Sequence, residues 1–453
     1  MDAASVRGLF EEVFPRDGIK EAVVRLGVQQ RVRHFDPVAM VMALVMLGGT
    51  AEAGRIGAAL REYFESGHKE VARSAAYRWF DEEFLALMRE LSDGLLAYVH
   101  RMPVHLPGVL AGRRDWRVVD STTVKLDKAL RESFPGTGDY AALKVHVEMS
   151  LGLENVVAYK ITPARRHDSP ELVVDETRRG TGLLVDLGYV SHALLQACRE
   201  HDVHLVVRLK DGWSVFLDTA VRVGELEEWE LPDELVEYLD GEALPGNVEV
   251  PFDVDVRLGG PSSETCARLV NVATPEGFRA YLTTLPRSTH DGDAVSFLYR
   301  LRWSVELQNK LAKSGCQLDH IDARKPVSAE ILVHAAMMAS MLANALVHLE
   351  HLDQGMVGEK TVRPKRPPHH AMLIWKCVVT SAWRIADLLA NPDDGQRLGW
   401  EHVARYLTHG GQDPNWRRKP SPIDDAKGRN ATGRAYWKSR PPNKATPTRR
   451  RLK

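Results

Sequence analysis

Cysteine is scarce and scattered: Cys198, Cys266, Cys316 and Cys377 form no C-x-x-C pair. That excludes a disulfide framework and a thiolate zinc site as organising features, and it fits a reducing compartment. An excess of one charge is also missing. With 60 Lys and Arg against 61 Asp and Glu, the net charge is −1, so bulk charge alone marks no polyanionic partner. No uninterrupted apolar run is long enough to span a bilayer. Residues 38–47 (VAMVMALVML) are too short, and 331–349 (ILVHAAMMASMLANALVHL) are broken by His334, Ser340, Asn344 and His348. The second segment reads as a buried core helix. The N-terminal MDAASVRGLFEEVF is amphipathic and acidic, unlike a signal peptide. These absences predict a soluble, cytoplasmic chain with no membrane partner.

What is present is a chain of 453 residues, 44% apolar and 27% charged, enough for two or three domains and a substantial core. Its charge is unevenly placed. Residues 225–264 are acidic, and after residue 413 the chain turns basic and rich in Pro, Asn and Gly, with RRK at 417–419 and RRR at 449–451. Composition leaves two readings of this end open, a disordered solubilising tail and a tail that lies on phosphates.

Periodicity divides the chain. Residues 1–105 carry apolar residues at helical spacing in IKEAVVRLGV, DPVAMVMALVML, AEAGRIGAALREYFESG and EEFLALMRELSDGLLAYV. GTAEAGRIGAALREYF is compatible with a helix-turn-helix, and equally with a plain bundle. From residue 110 the pattern changes to three short β-rich runs, WRVVDSTTVKL, ALKVHVEMSL and NVVAYKITPA. DSPELVVDETRR then reads as a capped helix, GLLVDLG as a buried strand, SHALLQACREHD as a helix and VHLVVRLK as a strand. The order β-β-β-α-β-α-β is that of an α/β ribonuclease-H-like core, over 110–210, with its last helix delayed to 291–325. The delay, 211–290, holds WSVFL, NVEVPFDVDVRL, CARLVNVA and RAYLTTLP and is too long for a structureless loop, so it reads as a β-rich insertion. Residues 326–410 form a helical C-terminal region, with helices near 330–352 and 371–391, and 411–453 the basic tail.

Two aspartates end predicted strands, Asp120 after RVV and Asp186 after LLV. Polar groups at the carboxyl ends of strands in an α/β sheet point into the crevice where ligands bind. The delayed helix contains YRLRWSVELQNKLAKSG, in which Tyr299, Arg302, Glu306 and Lys313 fall within a stripe roughly 60° wide at about 100° per residue. Leu298, Leu301, Val305 and Ala312 fall on another side. Glu306 can then complete a cluster with Asp120 and Asp186. Three carboxylates in one cleft repel one another unless hard cations sit between them. Mg²⁺ takes a few carboxylates plus substrate phosphates, and paired ions suit cutting or joining a phosphodiester. Each feature also has an ordinary reading: Asp after a strand forms turns, and Arg302 with Glu306 at i,i+4 forms a surface pair.

Together these segments resemble the DDE transposases of insertion-sequence family four. The carriers are Y-x2-R-x3-E-x6-K at Tyr299, Arg302, Glu306 and Lys313, with VVDSTTV, KVHVEMS, RRHDSPEL, VDLGYVS and AYLTTLP in order over residues 113–315. The resemblance implies that Asp120, Asp186 and Glu306 hold Mg²⁺, with Mn²⁺ as a substitute, and that Tyr299, Arg302 and Lys313 contact transposon-end DNA. It further implies cutting at terminal inverted repeats, often through hairpin ends, joining to target DNA, an N-terminal domain that binds DNA ends, and a homodimer formed through the C-terminal helices. Hairpin formation would be helped by an aromatic that holds a flipped base, with Trp213, Trp229 and Phe278 as candidates. Lys144, Lys210, Arg208 and the basic turn Arg165–Arg166–His167 are further candidate DNA contacts, each also explained as surface charge. His146 shares the strand face of Lys144 and reads as a satisfied polar residue. The acidic run GELEEWELPDELVEYLDGE at 224–242 sits awkwardly with DNA; either it points away from the duplex or it packs on another protein surface. Two other readings stay open: a ribonuclease-H-like nuclease without strand transfer, and an inactive or domesticated DNA-binding protein.

Overall fold

Apolar spacing in the first hundred residues produces helices throughout: α1 (Ala3–Val13), α2 (Arg16–Leu26), α3 (Pro37–Met46), α4 (Gly54–Glu65), α5 (Arg73–Trp79) and α6 (Glu82–Arg101). The structure, a computed structural model, describes residues 1–28, 35–46, 54–104, 106–218, 233–236, 238, 241–246, 248–274, 277–355, 368–391 and 397–414. Asp2 and Asp81 cap α1 and α6 by accepting from the backbone N–H groups of Ser5 and Phe84. α6 buries Phe84, Leu87, Met88, Leu91, Leu95 and Val99, one stripe at helical spacing. The first part of the helix-turn-helix candidate, residues 49–53, lies outside the described residues.

The β-rich runs form the expected meander of β1 (Trp116–Lys125), β2 (Ala142–Ser150) and β3 (Asn155–Pro163), followed by β4 (Gly182–Val185), α7 (His192–Glu200) and β5 (His204–Arg208). The helix expected at DSPELVVDETRR is replaced by two 3₁₀ turns, Ser169–Glu171 and Glu176–Arg178. Pro170 removes a donor, Val173 is exposed, and Asp175 caps the second turn by accepting from Thr177 N. The residues 211–290 carry β6 (Val215–Leu217), α8 (Asp233–Val236), β7 (Phe252–Leu258), β8 (Cys266–Thr274) and β9 (Gly277–Thr283). Their strands make no separate sheet: β9 pairs antiparallel with β5, and one nine-stranded sheet runs β3-β2-β1-β4-β5-β9-β8-β7-β6. Gly182 opens β4 because it lies opposite Trp116; a Cβ there would sit 2.2 Å from the indole.

After the sheet come α9 (Gly292–Arg300), α10 (Trp303–Lys310), α11 (Pro326–Asp353), α12 (Ala371–Thr380), α13 (Ala382–Ala390) and α14 (Arg397–Gly410). The single helix drawn through residues 299–315 is broken at Leu301–Arg302, and its last turn, Leu311–Gly315, is a π-turn. The helix near 371–391 divides at Ser381. α11 is long and apolar enough to cross a membrane, but its apolar window is 100% buried in the protein. Each polar interruption in it has a partner: His334 with Tyr159, Ser340 and Asn344 with Gln308, and His348 with the carbonyl of Pro103. That pattern is the mark of a core helix among other protein elements.

The sheet has two packed faces. Val118, Leu184, Val206 and Tyr281 join a core with α6, α9 and α11, whereas Val119, Leu183, Val185, Leu205 and Val207 join a second core with α7.

Candidate active site

Strand register brings the two aspartates together. β1 and β4 are parallel, with Val119 opposite Val185, so Asp120 and Asp186 follow at one level on strands about 4.8 Å apart. Period-two alternation puts both on the face of Val118 and Leu184, the face on which α10 packs. β5 lies parallel to β4 with Leu184 opposite Val206, which sets Arg208 level with Asp186. Arg208 in turn pairs with Tyr281, whose ring centroid is 5.3 Å from that of Tyr299 at the end of α9.

α10 supplies the rest. Arg302, at the α9–α10 junction, donates from Nη2 to Glu306 Oε1 at 2.8 Å, and its Nη1 is 4.0 Å from Asp120 Oδ2. It also lies 5.9 Å from the Tyr299 ring. Asp120 Oδ1 accepts from the backbone N–H of Ser121 at 2.8 Å. The Asn309 amide, one turn beyond Glu306, donates to Asp120 Oδ2 at 3.5 Å, and its own oxygen is buried without a partner. Asp120 and Arg302 are each 20% exposed, while Glu306 is 42% exposed. The break between α9 and α10 therefore preserves the contacts of Tyr299, Arg302 and Glu306 that a continuous helix would give. Among the described residues, no three His, Cys, Asp or Glu side chains close around one point as a bound cation requires; the Arg302 guanidinium stands between Asp120 and Glu306.

Burial pushes the Asp120 carboxyl above its ordinary range; the Ser121 N–H and Arg302 oppose that shift, and Asp186 and Glu306 add to it. Burial likewise raises the Tyr299 phenol, against the pull of Arg302 and Arg208. Burial works against the charge of Arg302, yet Tyr299, Asp186, Asp120 and Glu306 together hold its pKa above the usual value. A raised carboxyl pKa means that the folded chain holds the Asp120 proton more tightly than the unfolded chain does. The resulting stabilisation is full below the ordinary carboxylate pKa of about 3.9 and is lost as pH rises through the raised folded value. Asp120→Asn should therefore stabilise the metal-free chain by about 1 kcal/mol near neutral pH, and by less as the pH falls. Thermal unfolding in EDTA at two pH values measures this; a destabilised Asn variant near neutral pH would mean that the attraction of Arg302 dominates.

The other candidate residues are placed unequally. Lys144 Nζ donates to Asp168 Oδ1 at 2.8 Å and to the Arg166 carbonyl at 3.0 Å, and Ser121 Oγ reaches the same Asp168 oxygen at 3.1 Å. Asp168 thus ties the 163–168 turn to β2 through Lys144 and to the strand of Asp120 through Ser121. Arg166 pairs with Glu171, Arg165 donates to the Gly136 carbonyl, and His167 is exposed. His146 is buried between Tyr189 and Thr162, 3.0 Å from each, and burial depresses its pKa, which keeps it neutral. Lys210 is exposed beyond β5, and Lys313 is half-buried in the π-turn. Trp213 stacks on His192 at 4.6 Å and packs against the second core, and Phe278 is exposed on β9. Trp229, most of the acidic run and residues 415–453 of the tail lie outside the described residues. Sequence reasoning missed Asn309, Asp168 and Trp303, whose indole is 48% exposed beside Arg302. The signal for Trp303 was its helical angle, which lies away from the apolar side of that segment.

Residues 112–342 match the family model for the transposase DDE domain. The match covers half of the chain, and the chain belongs to this family. It is 22% identical over 267 residues to the transposase for insertion sequence element IS231F of Bacillus thuringiensis subsp. israelensis, covering 51% of this chain and 56% of that protein. It is 34% identical over 82 residues to the transposase for insertion sequence element IS421 of Escherichia coli, covering 18% and 22% respectively. The chain thus spans about half the length, or less, of the curated relatives it matches. Among solved structures it is similar to a piggyBac transposase synaptic complex with hairpin DNA, with a TM-score of 0.42 and 12% identity over 93% of this chain and 89% of that one.

Proposed function

We propose that the chain is a transposase of the insertion-sequence family-four type, which cuts element ends and joins them to target DNA at Asp120, Asp186 and Glu306. The observation that carries this reading is the register of β1 and β4, which sets Asp120 beside Asp186 on the face covered by α10. The strand order β3-β2-β1-β4-β5, with β4 and β5 parallel to β1, supports a ribonuclease-H-like core. The donors fit a divalent ion. They are hard oxygens, an amide oxygen beside Asp120 is left open, and the Arg302 guanidinium now between Asp120 and Glu306 would give up its place to the ion. Mg²⁺, or Mn²⁺ in its place, would supply an activated attacking oxygen and charge neutralisation at the leaving oxygen.

The chain's own groups do the positioning. Arg302 exchanges Glu306 for a phosphate, which a guanidinium grips through two donors, and so releases the carboxylate. Arg208, Lys210 and Lys313 hold the backbone on either side, while Lys144 acts through Asp168. Tyr299, seated on Tyr281, hydrogen-bonds or stacks at the scissile end. The exposed Trp303 offers a face for an unstacked base, a role that Trp213 is less free to take because it is stacked on His192. Hairpin ends are part of this reading. In this scheme residues 1–105 bind element ends, 110–210 with 291–325 form the catalytic core, 211–290 the β-rich insertion, 326–410 the dimer contact, and 411–453 a basic tail on DNA in the cytoplasm. The test is incubation of the chain with the DNA flanking its gene and Mg²⁺, with products mapped on sequencing gels. Specific nicks and joined strands are expected. Nicks without joining would favour a nuclease, and neither product would favour an inactive DNA-binding protein.

A further inference from the structure

Asn309 and its neighbour Gln308 are both buried amides on α10, at 9% and 3% exposure. Gln308 is fully tied: its Nε2 donates to Ser340 and its Oε1 accepts from Asn344. Asn309 is not. Its Nδ2 points at Asp120 Oδ2, while Oδ1 has no partner. Exchanging the amide oxygen and nitrogen would set an oxygen against the Asp120 carboxylate, so electrostatics fixes the orientation seen. A buried acceptor with no donor is rare in a folded protein and calls for an explanation. Asn309 follows Glu306 by three residues, which puts both on one side of the helix, towards the strand of Asp120.

We infer that Asn309 is a positioning residue of the carboxylate site: its N–H restrains Asp120, and its Oδ1 accepts from water held by the divalent ion. This rests on the reading of Asp120, Asp186 and Glu306 as metal ligands. A neutral amide suits the position because a fourth carboxylate would add repulsion, and because Mg²⁺ keeps several waters that need acceptors. Groups that orient metal ligands typically contribute about 10–100-fold in metal affinity.

The test is Mn²⁺ binding to the full chain by titration calorimetry, with and without a duplex of about 40 base pairs, long enough to cover the site. Asn309→Leu and Asn309→Ala are expected to weaken binding about 10-fold or more, with the thermal midpoint kept. Asp186→Asn is the control and should abolish binding. If Asp186→Asn loses Mn²⁺ and both Asn309 variants bind like wild type, Asn309 does not support the ion and the ligand assignment stands. If Asp186→Asn has no effect, or wild type binds no Mn²⁺ in either state, both readings fall. Unfolding of both Asn309 variants would mark a packing residue and overturn the inference.

Discussion

Glu306→Gln is expected to lower strand cleavage by about a thousandfold or more, while DNA binding and thermal stability stay close to wild type. Metal-held charge stabilisation is worth several kcal/mol at the transition state, and each 1.4 kcal/mol is about tenfold in rate. The substitution is nearly isosteric. The Gln oxygen still accepts from Arg302, whose donation to Glu306 at 2.8 Å orders the start of α10, so the local fold is kept and only the charge is lost. Glu306 is also more exposed than Asp120, at 42% against 20%, so neutralising it strands no buried charge. Removing one negative group beside Arg302 should, if anything, tighten the hold on phosphate. Cleavage assays with single-turnover kinetics, run beside gel-shift binding, separate the two effects. Cleavage at the wild-type rate would move the chemistry out of this cleft.

The parts legible in the sequence are those set by local periodicity. Alternation in WRVVDSTTVK and ALKVHVEMS gave β1 and β2. Asp186 does follow the end of β4, but Asp120 lies inside β1, which runs on to Lys125 because it stays paired with β2, so their adjacency comes from the parallel register of β1 and β4 and not from two strand ends. Non-local main-chain choices were less legible. AYLTTLP resembles the family's last core strand, and β9 does add to the edge of β5, but nothing in it says that β9 will carry the insertion's other strands into the same sheet. Spacing placed Arg302 and Glu306 on one side of a helix, but spacing names no partner, so the interposition of the guanidinium between Glu306 and Asp120 was hidden. Asn309 and Gln308 look alike in sequence; only burial and the presence of Ser340 and Asn344 on α11 tell the tied amide from the open one. Register likewise favours Arg208 over Lys210 as the cation level with the aspartates.

The largest stability effect outside the apolar core should come from Arg268 on β8, with consequences for the site. Its guanidinium is only 4% exposed, and it bonds Asp253 from Nε at 2.7 Å while Nη1 donates to the carbonyls of Leu285 and His290 at 3.1 and 2.8 Å. Those carbonyls belong to the segment between β9 and α9. His290 there also bonds the Val109 carbonyl, and Asp291 caps α9 through the N–H of Ala294. One planar fork therefore clamps the loop that delivers Tyr299 and Arg302. Arg268→Met would leave two carbonyls without their donor, and Asp253 with only Arg287 at 3.0 Å. Breaking such a buried pair from one side costs about 3–5 kcal/mol. Because Arg287 remains to hold Asp253, the lower end, about 3 kcal/mol, is expected. Urea unfolding should show the midpoint falling with its slope unchanged. Arg268→Lys should recover little, since a single ammonium cannot span three acceptors in a fixed plane. Amide exchange should quicken across 285–300 before the rest of the sheet loosens, and cleavage should fall at temperatures where the chain is still folded. A cost below about 1 kcal/mol, the range of an exposed ion pair, would mean that the α9 cap and His290 hold the loop without the clamp.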